Sequence, residues 1–178
     1  MPVKELSQQQ LTIRSKNINR QILKIKIILA NKKKNKFLIY QIIKGLEDKF
    51  EKKWLEPETA LPRVDEELQQ IWEVSEKLND DMAKYFTTFQ AMVDEIWKVS
   101  ILAPGRGSAG AFLINYVLDI TQINPLPYDF PLKRFLAAEK VSLADIDIDG
   151  SSSKKDEILK VLTEWGLTFD TDMFGIAT

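Results

Sequence analysis

Asp145-Ile146-Asp147-Ile148-Asp149-Gly150 alternates an acid with a β-branched apolar residue until glycine ends the run. A period of two is the period of an extended chain, whose successive side chains point to opposite faces. The spacing therefore predicts a strand through Val141–Asp149, with the isoleucines on a buried back face and the three carboxylates on the other. Same-face neighbours on that geometry stand about 7 Å apart. Three like charges in one row repel unless a positive charge lies between them, so two adjacent carboxylates can share a cation or a pair of cations. The bland alternative is an acidic, solvated sheet edge. A second alternative is the opening of an EF-hand calcium loop, D-x-D-x-D-G. Its twelfth position would be Asp156 rather than glutamate, its eighth would be Ser152, and isoleucines favour a strand over a loop.

The 178 residues include no cysteine and no histidine. Disulfides, thiolate sites, histidine-bound zinc and the Ser-His-Asp and Cys-His constellations are thereby excluded. Carboxylates without histidine point to hard cations such as magnesium or calcium. The net charge of −1 conceals an uneven distribution. Arg14 to Trp54 carries 13 bases against 3 acids, whereas Leu55 to Thr178 carries 11 bases against 22 acids. Such a division suits one surface for a polyanion and another for cations, although a lysine-rich helical face serves solubility equally well. The N-terminal stretch is polar with no signal-peptide core, and no apolar run is long enough for a bilayer. A cytoplasmic protein with no membrane partner is expected.

Ile18 to Ala30 fits both helix and strand patterns, and Asn31 to Asn35 is a polar break. Lys36–Trp54 has the 3.6-residue period of an amphipathic helix. Glu56–Pro62 contains two prolines and reads as a loop. Asp65–Leu78, N-capped by Asp65, and Asp80–Val99 read as further helices, the second carrying a core-facing row of Tyr85, Phe86, Phe89 and Trp97. Ser108 heads a helical pattern through Leu118, Leu132–Ala138 reads as a short helix, and a last helix is expected over Lys154–Trp165.

Pro104-Gly105-Arg106-Gly107-Ser108-Ala109-Gly110 lies ahead of the Ser108 pattern. Glycines let backbone approach a ligand closely, and a glycine turn feeding a helix presents free N–H groups to an anion. Arg106 adds a fixed positive charge, so phosphate is the natural ligand. A plain tight turn accounts for such a segment equally well. The downstream lysine of a Walker A loop is missing, and the spacing of a dinucleotide fingerprint is not met.

Taken together, Pro104–Gly110, Tyr116–Pro127, Lys133-Arg134-Phe135-Leu136 and Val141–Asp149 resemble consecutive blocks of the bacterial DNA polymerase III alpha subunit, the C-family replicative polymerase. Tyr85–Leu102 resembles that family's helix leading into the glycine turn, and the likeness covers roughly Asp80–Thr178. It implies an α+β fold: a helical N-terminal half with a partial polymerase-beta-like nucleotidyltransferase palm and a small mixed sheet. It divides the chain into a basic segment of unknown role, residues 1–60, and a partial palm, residues 61–178. By the same resemblance Asp145 and Asp147 are the catalytic, metal-binding carboxylates, with Asp149 a further metal ligand. Arg106, Gly107, Ser108 and Arg134 bind the nucleotide triphosphate. Two Mg2+ ions, dNTP and primer–template DNA are the implied cofactor and partners.

The family pattern is departed from at Ala144, where proline is usual, and at Gly150, where an aromatic is. Gly110-Ala111-Phe112 stands for Ala-Gly-Ser, and Lys133 for glutamate. The resemblance also implies a third catalytic carboxylate farther downstream. The rest of the polymerase is therefore expected as a partner, in cis or as a separate subunit. A polymerase-derived protein that binds DNA or a replication partner through its basic segment is the alternative.

Overall fold

A computed structural model of the chain describes residues 36–140 and 144–165. The readings for Ile18–Ala30, Asn31–Asn35, Val141–Leu143 and most of the basic segment fall outside those residues.

The first described helix, α1, spans Lys36–Glu51 and buries Leu38, Ile42 and Leu46 along one stripe. Its expected extension to Trp54 is cut short by Lys53, which takes the left-handed conformation at φ 58°. Helix α2 is longer than the sequence pattern suggests, Pro57–Leu78. The stretch expected as a loop is its first turns, and Asp65 lies inside it rather than capping it. Pro57 occupies the first helical position, where its missing N–H is no loss and its fixed φ suits the helix. Pro62 sits within the second turn, and its lost donor leaves the helix unbroken. Asn79 ends α2 at φ 50°, with the Asp80 N–H returning 3.1 Å to the Ser75 carbonyl. Asp81 caps α3, Met82–Trp97, by accepting 3.1 Å from the Ala83 N–H.

Downstream, regular structure is short. Ala109–Ala111 forms a 3-10 turn, Phe112 is extended, and α4 is the single turn and a half of Leu113–Val117. The helix expected from Ser108 is thus broken at Phe112, whose ring is drawn into the core. Leu132–Arg134 is a 3-10 turn in place of the expected helix. The last helix, α5, covers Lys155–Glu164, close to expectation. Helix α2 packs on α3 and α4, α1 packs on both α3 and α4, and α5 packs on α3. No helix among the described residues is long and apolar enough to cross a membrane.

The mixed sheet is not there among the described residues, and the acid–isoleucine run is not a strand in it. Residues 144–149 belong to no strand; the run ends on one isolated antiparallel bridge, Gly150 with Leu102, and on a 2.8 Å bond from the Ala103 N–H to the Asp149 carbonyl. Alternation fixes which face each side chain takes, but a strand also needs a hydrogen-bonded neighbour along its length, and pairing partners are not written in the run itself. The facial prediction survives: Ala144 and Ile146 are buried while Asp145, Asp147 and Asp149 are exposed.

Under the glycine turn lies an aromatic cluster. Phe86 and Phe112 stack with centroids 5.9 Å apart, and Phe135 tilts against Phe112 at 5.0 Å. Each such pair contributes about 0.5–1.5 kcal/mol beyond its buried area. The cluster gives a physical reason for Phe112 where the resemblance leads one to expect serine: its ring is fully buried between α3 and the Phe135 turn. Lys49 is a buried cation at the other end of the domain. Its ammonium meets the Asp119 carboxylate at 2.6 Å and lies 4.6 Å from the Tyr116 ring centroid, joining α1 to the end of α4.

Candidate functional site

The Pro104–Gly110 turn and the 3-10 turn at Leu132–Arg134 face each other across a cleft of about 200 Å³. Gly105, Arg106, Gly107, Gly110 and Ala111 form one wall; Phe130 and Arg134 form the other, with Ile123 also lining the space. Two arginines distant in sequence therefore share one space. Ser108 stands beside this cleft without lining it. It is half-buried and starts the 3-10 turn, with its carbonyl accepting 2.9 Å from the Ala111 N–H.

The acidic segment runs along the outside of the glycine turn. Gly107 has φ 64°, and a Cβ built there would fall 2.8 Å from Asp147 Oδ2. The dihedral favours glycine at 107, and a side chain there would also have to push the exposed Asp147 carboxylate aside. Asp149 meets Arg106 at 3.1 Å in an exposed ion pair. Such a pair is worth little to stability, but it joins the acidic run to the basic turn.

Four anchors hold the acidic segment. The Tyr85 hydroxyl donates to the Ala144 carbonyl, Ile146 is buried, Ala103 binds the Asp149 carbonyl, and the Ser151 N–H donates 3.2 Å to Ser100 Oγ. Burial, and after it the charge of Asp145, pushes the Tyr85 hydroxyl up to about 12, so it remains a donor throughout the working pH range.

The three acids divide by surroundings. Asp145 and Asp147 are exposed, Asp147 beside Gly107, while the Asp149 carboxylate is paired with a guanidinium. No group of three or more acids able to hold a metal occurs among the described residues. Two carboxylates with no soft donor suit Mg2+, which takes one or two carboxylates and fills its remaining positions with waters and phosphate oxygens. Lys133, where the resemblance leads one to expect an acid, is paired with Glu139 on the exposed side, so its charge is not directed into the cleft.

Sequence reading missed the groups that hold the cleft's frame. Glu67 is completely buried on α2. Its Oε1 accepts from the Leu113 N–H at 2.8 Å and from Arg63 Nε at 2.7 Å, and its Oε2 accepts from the Ile114 N–H at 2.8 Å. Burial pushes its carboxyl up to about 7 against the pull of these donors. Arg63 Nη2 donates to the Ala111 and Phe130 carbonyls, each at 2.8 Å. Farther along α2, Gln70 accepts from the Ala138 N–H at 3.0 Å and Lys77 donates to the Ala138 carbonyl at 2.6 Å. A signal was present: Ala60, Glu67 and Val74 recur every seven residues, and all three are buried, so an acid stands in an apolar stripe.

Known proteins resemble the chain as follows. A sequence model of the bacterial DNA polymerase III alpha NTPase domain matches residues 36–168. A DNA-directed DNA polymerase of Bacillus phage SPbeta is 40% identical over 135 residues, covering 69% of this chain and 10% of that protein. The DNA polymerase III subunit alpha of Vibrio cholerae is 33% identical over 132 residues, covering 72% of this chain and 11% of that protein. That of Aquifex aeolicus is 35% identical over 96 residues, covering 53% of this chain and 8% of that protein. The chain thus spans about a tenth of the length of these relatives. The matched region takes in the glycine turn, the Arg134 turn and the acidic run together, and covers well over half of the sequence: the chain belongs to the family of the bacterial DNA polymerase III alpha NTPase domain.

Proposed function

We propose that the chain is the phosphate- and metal-binding part of a DNA-templated DNA polymerase, adding nucleotides to a primer 3′ end with the rest of the polymerase supplied in cis or by a separate subunit. The observation that carries this reading is the convergence of Arg106, Gly107 and Arg134 on one cleft with Asp147 packed against Gly107. The names of the relatives, DNA polymerases of a phage and of bacteria, supply the substrate class.

Within this reading the two arginines bind the dNTP triphosphate. Guanidinium forks match phosphate oxygens and keep their charge at any working pH. The glycine turn lets backbone approach the phosphates without a side chain intervening. Asp145 and Asp147 hold Mg2+. When bound, a metal pair lowers the charge barrier between an attacking 3′ oxygen and the phosphate and neutralises the leaving pyrophosphate. Arg106 has a second task, pairing with Asp149 so that the acidic run stays docked on the turn.

Primer extension with Mg2+ tests the proposal, using tagged chain purified with whatever partner accompanies it. Wild-type material extends primers, and Asp147→Asn lowers extension by more than about 100-fold, beyond the usual effect of losing an outer-shell partner of a metal. Extension unchanged in Asp147→Asn would overturn the proposal, and no extension by wild-type chain that carries no partner would overturn supply of the rest by a separate subunit.

A further inference from the structure

We infer that Arg63 and Glu67 are positioning residues for the cleft, setting the separation of its two walls to fit a polyphosphate. This rests on the phosphate reading given above and adds the residues that set its geometry. Arg63 Nη2 carries two hydrogens, and each is committed to a different wall, one to the Ala111 carbonyl and one to the Phe130 carbonyl. Ala111 follows Gly107 by four residues, and Phe130 precedes Arg134 by four. A single nitrogen atom therefore joins the glycine-turn wall to the Arg134 wall through Ala111 and Phe130, both of which line the cleft.

The guanidinium is itself fixed. Nε is bonded to Glu67 Oε1 at 2.7 Å, and Glu67 is tied to the backbone at Leu113 and Ile114, just beyond Ala111. All five bonds made by Arg63 and Glu67 end on backbone or on each other, so neither side chain has slack. A buried ion pair is a weak means of stabilising a fold, since apolar residues of the same volume serve as well or better. Its distinctive property is direction, and here the direction is across the cleft. Lysine cannot substitute at 63, because an ammonium on a flexible stem lacks the planar fork that reaches Glu67 and both carbonyls together.

Arg106 and Arg134 contact successive phosphates only if the walls keep their distance. A misplacement of about 1 Å in such a site lowers function by up to about 100-fold. Inorganic tripolyphosphate titrated calorimetrically into the full chain is the test. Arg63→Lys and Glu67→Gln are expected to weaken binding about 10- to 100-fold at a temperature where circular dichroism shows both folded. The Arg63→Lys, Arg134→Ala double variant should lose less than the product of the single losses. Leu46→Val, a core change on α1 outside the cleft, should lower Tm and leave affinity unchanged. Binding unaltered in Arg63→Lys while Arg134→Ala abolishes it would overturn the inference and leave the phosphate reading intact. No binding by wild-type chain would instead sink the phosphate reading and this inference with it.

Discussion

Asp147 occupies the space that a side chain at Gly107 would need: the nearest carboxylate oxygen, Oδ2, stands 2.8 Å from the position of a Cβ there. The glycine turn and the acidic run thus meet where Gly107 carries no side chain.

Gly107→Ala should therefore uncouple them. The alanine has to hold φ near 64° and displace Asp147, a strain of roughly 1–2 kcal/mol for the dihedral alone. Because the turn is exposed, the expected loss of Tm is a few degrees, while Mg2+-dependent dNTP binding falls at least about 10-fold. Titration with and without Mg2+ checks it. Equal affinity in the two proteins would show that Asp147 does not need its place against the turn.

Tyr85→Phe removes the donor to the Ala144 carbonyl at the head of the acidic segment. Loss of one such bond is expected to lower stability by about 1 kcal/mol, read in urea unfolding. Amide exchange at Asp145 and Ile146 should rise, because the anchor nearest to them is gone.

Gly45→Ala tests the crossing of α1 over α4. A Cβ at Gly45 would lie 2.1 Å from the Val117 carbonyl oxygen, which belongs to backbone and cannot swing away. The helices have to separate, and a destabilisation of about 3 kcal/mol is expected, the upper part of the range for overpacking. A variant as stable as wild type in urea would mean that the two helices do not cross there.

Glu67 predicts a pH dependence. Its carboxyl is raised to about 7 in the folded chain from an ordinary 4.5, so the folded state holds the proton over that interval and the unfolded state does not. The contribution is fully present below about pH 4.5 and is lost as pH rises through 7, amounting to roughly 3 kcal/mol for this degree of shift. Unfolding free energies of wild type measured from pH 4.5 to 8 should decline relative to those of Glu67→Gln, which lacks the titration. Parallel curves would refute the assignment.

What could be read from the sequence depended on range. The acid–isoleucine alternation placed Asp145 and Asp147 on the exposed side correctly, because side-chain facing is a local property. It did not determine a sheet, because strand pairing depends on distant backbone. Pro57 and Pro62 looked like a loop, yet the first lies where a helix tolerates proline and the second is carried by the packing of Ala60, Leu61 and Val64 around it. Arg106 and Arg134 could be named from sequence motifs, but not their common cleft, which depends on the fold between them. Arg63 and Glu67 escaped notice because an i, i+4 charge pair looks like surface ornament until one partner proves to be buried.

Helix α2 bears Arg63, Glu67, Gln70 and Lys77; the first two hold the chain at Ala111, Leu113, Ile114 and Phe130, and the last two hold it at Ala138. The arrangement works like a caliper whose jaws ride on one bar. When the bar tilts or slides with respect to neighbouring helices, both jaws travel with it, and the gap between them is preserved. Motion of the domain as a whole can thus leave the spacing of those segments unchanged.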